Sequence, residues 1–189
     1  NYPHQDDVEW CSEFESDNSF LGNRTSFSLN DYGQGALVSS IEDTIKIWKI
    51  YEGMNTESQS NIIVNHQNFP VLSEYFDEET EYSIYLQPRY LIGNNGVQHI
   101  FIAITWDSYE KYAYLHFKSN YSTDEAWSAS GLGTSDLSSF QGESYHGGMF
   151  FSSSMSVDNE NIVWFIYEQE SNGSINIVIK KSDNNGIEW

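Results

Sequence analysis

Apolar and polar residues alternate with a period of two along several stretches of the chain. Residues 174–180 read Ser-Ile-Asn-Ile-Val-Ile-Lys, with Ile175, Ile177 and Ile179 on one side, the spacing of one face of a β-strand. Residues 161–168, Asn-Ile-Val-Trp-Phe-Ile-Tyr-Glu, predict the strand before it. Between them Ser171-Asn172-Gly173 predicts a tight turn, because Asn-Gly readily takes positive φ. A further strand is expected over 151–157, with Asp158-Asn159-Glu160 as its turn. The same order occurs earlier. A strand over 87–92 leads through Gly93-Asn94-Asn95-Gly96 into a strand over 97–106, and residues 107–111 form a loop before a strand over 112–117. A fainter set pairs 36–41 with 44–50 through Glu42-Asp43.

Composition agrees. Ile and Val total 25 and Ala and Leu only 14, and 16% of residues are aromatic. Branched and aromatic residues suit a pleated, half-buried surface, so the fold class read here is all-β. A length of 189 residues suggests one domain or two small ones. Its 28 acidic and 8 basic residues give a net charge of −20. That balance supplies no basic footprint for nucleic acid or for an anionic membrane surface. No apolar run reaches the 18 or so residues of a spanning helix, so no membrane insertion is expected. Cys11 is the one cysteine, which leaves no intrachain disulfide.

The segments after the third strand of each set repeat. Ser182-Asp183-Asn184-Asn185-Gly186-Ile187-Glu188-Trp189 follows one set, and a stretch from Ser119 to Trp127 follows the other. The two serines are 63 positions apart and the two tryptophans 62, while Asp7-Val8-Glu9-Trp10 matches the end of the motif. A fixed period of this size marks a repeat architecture. The approximate repeats are 11–72, 73–127 and 128–189 within a single β-repeat domain, 1–189.

Ser182-x-Asn184-x-Gly186-x-x-Trp189 resembles the Asp-box, or BNR repeat, of sialidase-like β-propellers, whose pattern is Ser-x-Asp-x-Gly-x-Thr-Trp. The resemblance covers the last 35 residues well and 87–127 moderately. Asn184 replaces the family's Asp and Glu188 its Thr, and the Ser119 copy has an extra residue and no Gly. The resemblance implies antiparallel four-stranded blades, about three of them: a β-propeller or part of one. Closed propellers have 4–8 blades, so a longer parent chain or self-association is expected, two three-blade chains closing a six-bladed ring being one form. The box itself (Ser182, Asn184, Gly186, Trp189, with Ser119, Trp127 and Trp10 in the partial copies) is structural in the family. It joins the third and fourth strands opposite the ligand face.

Sialidases of that family bind their substrate carboxylate with three arginines, whose planar forks match the anion. This chain has two, Arg24 and Arg89, which disfavours a sialidase. Mapped onto this sequence, the family's ligand face holds Arg89, Trp106, Asp107, Tyr109, Tyr145 and His146. Aromatic rings there stack on sugar faces while polar groups hydrogen-bond hydroxyls. No catalytic residue and no metal ligand is assigned, and no cofactor is expected. The acidic run Glu74, Asp77, Glu78, Glu79 and Glu81 reads as a solvated surface, with Ca²⁺ the one ion its carboxylates would suit. His99 and His116 read as strand residues. Asn23, Asn120 and Asn172 stand in N-glycosylation sequons.

The expected function is an extracellular or cell-surface binding or structural module with a glycan or a protein surface as partner. The alternatives are a carbohydrate-active enzyme, lyase or glycoside hydrolase, completed by further sequence, and a subunit of a surface appendage or coat.

Overall fold

A computed structural model of the chain describes residues 25–50, 56–84, 88–107, 111–123, 126–136, 153–171 and 174–189. The described residues form antiparallel β-structure with no α-helix.

Twelve strands make three sheets. The first runs in the order β1 (Thr25–Leu29), β2 (Gly35–Ile41), β3 (Thr44–Ile50), β4 (Thr56–Ile63), each strand pairing with the next. The middle sheet holds β5 (Tyr82–Ile84), β6 (Arg89–Ile92), β7 (Val97–Trp106), β8 (Lys111–Asn120) and β9 (Ser128–Asp136). β5 and β6 both pair with the same side of β7, at residues 104–106 and 98–101. Both therefore lie along one edge of β7. The last sheet is β10 (Ser153–Val157), β11 (Val163–Ser171) and β12 (Ser174–Ser182). All three are meanders with the first strands β1, β6 and β10 next to one another.

The fold is therefore all-β and built of consecutive antiparallel repeats. The sheets are offset from the box-to-box repeats read in the sequence. β9 follows Trp127 but pairs with β8, so the strand after a box completes the sheet before it.

The repetition is also seen in the turns. Each sheet has a five-residue turn of one form, at 30–34 joining β1 to β2, 93–97 joining β6 to β7, and 158–162 joining β10 to β11. The N–H of Asn30, Gly93 or Asp158 donates to the carbonyl four residues on, at 2.9, 3.0 and 3.1 Å. The residue three on (Gly33, Gly96 or Asn161) donates back to the carbonyl of Asn30, Gly93 or Asp158, and each has positive φ. Asn and Gly occupy these places because they tolerate the left-handed region.

The middle sheet is covered on both faces. Along β7 and β8 alternate side chains point to opposite sides. Ile100, Ile102, Ile104, Ala113, Leu115 and Phe117 meet Ala36, Val38, Ile45, Ile47 and Ile62 of the first sheet. Phe101, Ala103, Tyr112 and Tyr114 meet Val163, Phe165 and Tyr167 of the last. One interface is mainly aliphatic and the other aromatic, where Phe101 stacks on Phe165 at 4.7 Å and Tyr114 meets Tyr167 at a tilt, 4.4 Å between ring centres. Their tyrosine hydroxyls are satisfied, Tyr114 donating to the Glu168 carbonyl at 2.8 Å and Tyr167 to that of Leu132 at 3.4 Å.

The segment between β4 and β5 is pinned by apolar anchors. Asn65 closes a turn by accepting from the Asn68 N–H at 2.8 Å. A 3-10 turn over Pro70–Glu74 then buries Leu72. Phe69 and Phe76 are buried on either side of it, and the acids Glu74, Asp77, Glu78, Glu79 and Glu81 stay in solvent.

Candidate functional site

Residues 182–189 close as a hydrogen-bonded turn, called the box below for its resemblance to the Asp-box. Ser182 Oγ accepts from the Gly186 N–H at 2.7 Å and donates to Asn184 Oδ1 at 2.8 Å. Asn184 Oδ1 accepts from the Glu188 N–H at 2.9 Å. That task needs only an amide or carboxylate oxygen, so Asn serves it as Asp would. Asn185 and Gly186 have φ of 58° and 80°. A Cβ on Gly186 would lie 2.0 Å from His116 Cε1, so glycine is required both by conformation and by space. Trp189 lies edge-on to Phe101 and His116, at 5.6 and 5.1 Å between centres.

Beneath the box lie His99 and His116, both buried in the middle sheet. His99 Nδ1 and His116 Nε2 are 3.0 Å apart, and one must donate while the other accepts, so at least one ring is neutral. Burial first, and then the Lys118 ammonium, holds the His99 pKa down to about 4. Burial, then His99 and Lys118, holds His116 well below its ordinary value. The pair is a core contact that carries the box.

Of the partial copies, Trp127 packs against the first core. Ser119 is buried, and Asn120 Oδ1 accepts from the Ser122 N–H at 3.0 Å. Trp10 lies outside the described residues, as do Asn23 and Asn172.

Open clefts lie at the other end of β7. Two adjoining clefts of about 510 and 520 Å³ share Thr80, Trp106 and Asp107. The first is completed by Glu81, Tyr82, Ser83 and Thr105. The second is completed by Ser73, Glu74, Tyr75, Phe76, Asp77 and Lys111. Trp106 is half-buried, held on Phe76 at 5.1 Å between centres, and Phe76 in turn contacts Tyr82 at 5.0 Å. Asp107 follows β7 with φ of 54° and pairs with Lys111, the first residue of β8, at 2.9 Å. Burial, then the nearby Glu74, raises the Tyr75 pKa, and burial, then Asp43, raises that of Tyr82. Both phenols therefore stay protonated and keep a hydrogen to donate. Tyr82 uses its own on the Val64 carbonyl.

Four carboxylates line these clefts, Glu74, Asp77, Glu81 and Asp107, against one cation, Lys111. Among the described residues no three His, Cys, Asp or Glu side chains converge as metal ligands would.

The ligand face mapped from the sequence is brought together only in part. Trp106 and Asp107 are neighbours in the clefts. Arg89 is not with them. It pairs across β6–β7 with Phe101, five residues from Trp106 and so about 17 Å away along the strand and of opposite facing. Tyr109, Tyr145 and His146 lie outside the described residues. Tyr75, Phe76, Thr80 and Lys111 were not foreseen. The one sequence signal for them is a pair of aromatics set within a run of acids.

No family model matches the chain, and comparison with the curated proteins and with the solved structures finds no match.

Proposed function

We propose that the chain is a BNR-type β-propeller module, or part of one, acting outside the cell or at its surface, and that it binds a glycan in the clefts beside Trp106. The observation that carries this reading is the division of β7 between two ends. The box and the five-residue turns sit at its start, and Trp106 and Asp107, two residues that the resemblance assigns to the ligand face, line open clefts at its finish. A half-exposed indole edged by carboxylates, threonine and tyrosine supplies one stacking plane and several hydroxyl partners, the chemistry a sugar ring takes.

The charge of the cleft narrows the ligand. Four carboxylates repel uronic and sialic acids, and the one lysine is already engaged by Asp107. Neutral or amino-bearing glycans fit the site better than acidic ones. A glycan array followed by calorimetry tests the reading. Binding of neutral oligosaccharides that falls at least tenfold in Trp106→Leu, which retains an apolar side chain against Phe76, supports it. Equal binding by the variant, or no glycan bound at all, refutes it.

A further inference from the structure

The segment that follows β4 brings a histidine and a serine together beside the second cleft. His66 and Ser73 are seven residues apart, and the chain folds back between them. Phe69 donates its N–H to the Asn65 carbonyl at 2.8 Å, and Pro70 then opens the 3-10 turn. Phe69 and Leu72, both buried, anchor that turn to the core. Ser73 is left exposed, with its Oγ 3.1 Å from His66 Nδ1.

Packing holds the imidazole in place. The ring is half-buried and stands edge-on to Phe76 and Tyr82, at 5.1 and 6.5 Å between ring centres. Its Nε2 is buried and has no hydrogen-bond partner among the described residues. Packing alone does not call for such a histidine, since an apolar ring fills the same space without burying an unbonded nitrogen. With the proton on Nε2, Nδ1 accepts from the Ser73 hydroxyl, which is the relation of a general base to a serine nucleophile. Ser73 also lines the cleft that holds Trp106 and Asp107.

We propose that Ser73 and His66 form a nucleophile–base pair that hydrolyses an O-acyl ester on a sugar seated in the Trp106 cleft; the substrate class rests on the glycan reading above. Ser73 Oγ bonds to the ester carbonyl carbon, and its proton passes to His66 Nδ1. The bond from that carbon to the sugar oxygen then breaks. The sugar leaves with the proton, and the acyl group stays on Ser73. Water attacks the acyl carbon and gives a proton to His66. The carboxylic acid is released as that proton returns to Ser73 Oγ. Tyr75 and Lys111 are the donors that line the same cleft for the oxyanion of each step. The electrophile is a neutral carboxylic ester, because the four carboxylates of the clefts repel phosphate and sulfate esters.

A fluorophosphonate, which needs no sugar in order to react, tests the pair on the full chain. Peptide mass mapping is expected to find the label on Ser73 and to find none in Ser73→Ala. Labelling should slow by about 100-fold or more in His66→Gln and in His66→Phe, the second of which keeps a ring against Phe76. Thermal melting checks that the variants fold. An unlabelled Ser73, or labelling as fast in folded His66→Phe as in the wild type, overturns the proposal. The second arm follows acetate release from O-acetylated neutral oligosaccharides by proton NMR, expected for the wild type and lost in Ser73→Ala. An O-acetylated oligosaccharide that binds without losing acetate overturns the proposal. Ser73 labelled through His66 in a chain that binds no glycan supports the pair and refutes the glycan reading alone.

Discussion

The two ends of the middle sheet are built on opposite principles. At the box end the polar groups are used up on one another. Asn95 Nδ2 reaches Asn185 at 2.9 Å, the Asn95 N–H reaches Asn161 at 3.2 Å, and Asn94 and Asp31 bond side chain to side chain at 2.7 Å. The hollow left there, beside Lys118 and Asn185, is only about 190 Å³. At the Trp106 end acids and hydroxyls line clefts more than twice that size. A region whose hydrogen-bonding groups are spent internally consolidates the fold. One whose groups face an open cleft has them available for a ligand. Substitutions at the box end should therefore change stability and spare binding, and those at the cleft should do the reverse.

The largest effect is expected at Gly186. Gly186→Val combines a left-handed backbone that a branched residue resists with overlap on His116. It should lose about 3 kcal/mol or more in denaturant unfolding. A loss below about 1 kcal/mol would break the claim that box and histidine pair are one packed unit.

Acid should produce a loss of similar size at the same end. His99 is neutral when folded and protonates at its ordinary pKa near 6.5 when unfolded. The folded state binds fewer protons, so stability is full above about pH 6.5 and falls as pH drops toward 4, by about 3 kcal/mol for a shift of this extent. The 28 carboxylates also begin to titrate in that range, so the comparison is with the His99→Gln, His116→Gln double variant. Stability curves that run parallel for the two proteins between pH 6.5 and 4 would remove the pair from the account.

Ser182→Ala should cost about 1–2 kcal/mol, since it leaves the buried Gly186 N–H without its acceptor. Its glycan affinity should equal that of the wild type. The smallest change is expected at Lys111. Its exposed pair with Asp107 contributes little, so Lys111→Ala should shift stability by less than about 1 kcal/mol. It should also make the cleft still less tolerant of acidic sugars, which competition binding would show.

Much of the fold was legible because its interior strands obey simple rules. β3, β7 and β12 are rich in Ile and Val, and the turn at 93–96 is spelled out by Gly-Asn-Asn-Gly. β9 was not legible, since Ser-Ala-Ser-Gly-Leu-Gly-Thr-Ser-Asp carries only two larger apolar residues or alanines among small polar ones. Its Gly131 and Gly133 stand where the Tyr75 and Tyr167 hydroxyls approach, a constraint set by residues far away in the sequence. β4 begins with the polar run Thr-Glu-Ser-Gln-Ser and takes its place by pairing with β3. At the site, Trp106 and Asp107 came from aligning a repeat. Tyr75 and Phe76 depend on how the segment after β4 folds back, and local pattern carries no record of that.

The central claim is that the two ends of β7 divide the work, one holding the fold and the other holding a glycan. Titrating the isotope-labelled protein with neutral oligosaccharides and following its amide resonances tests this most directly. Shifts confined to residues 73–83 and 105–111, with 93–96, 158–161 and 182–188 unmoved, are the predicted result. Shifts centred on the box and its turns, or none with any glycan, would contradict it.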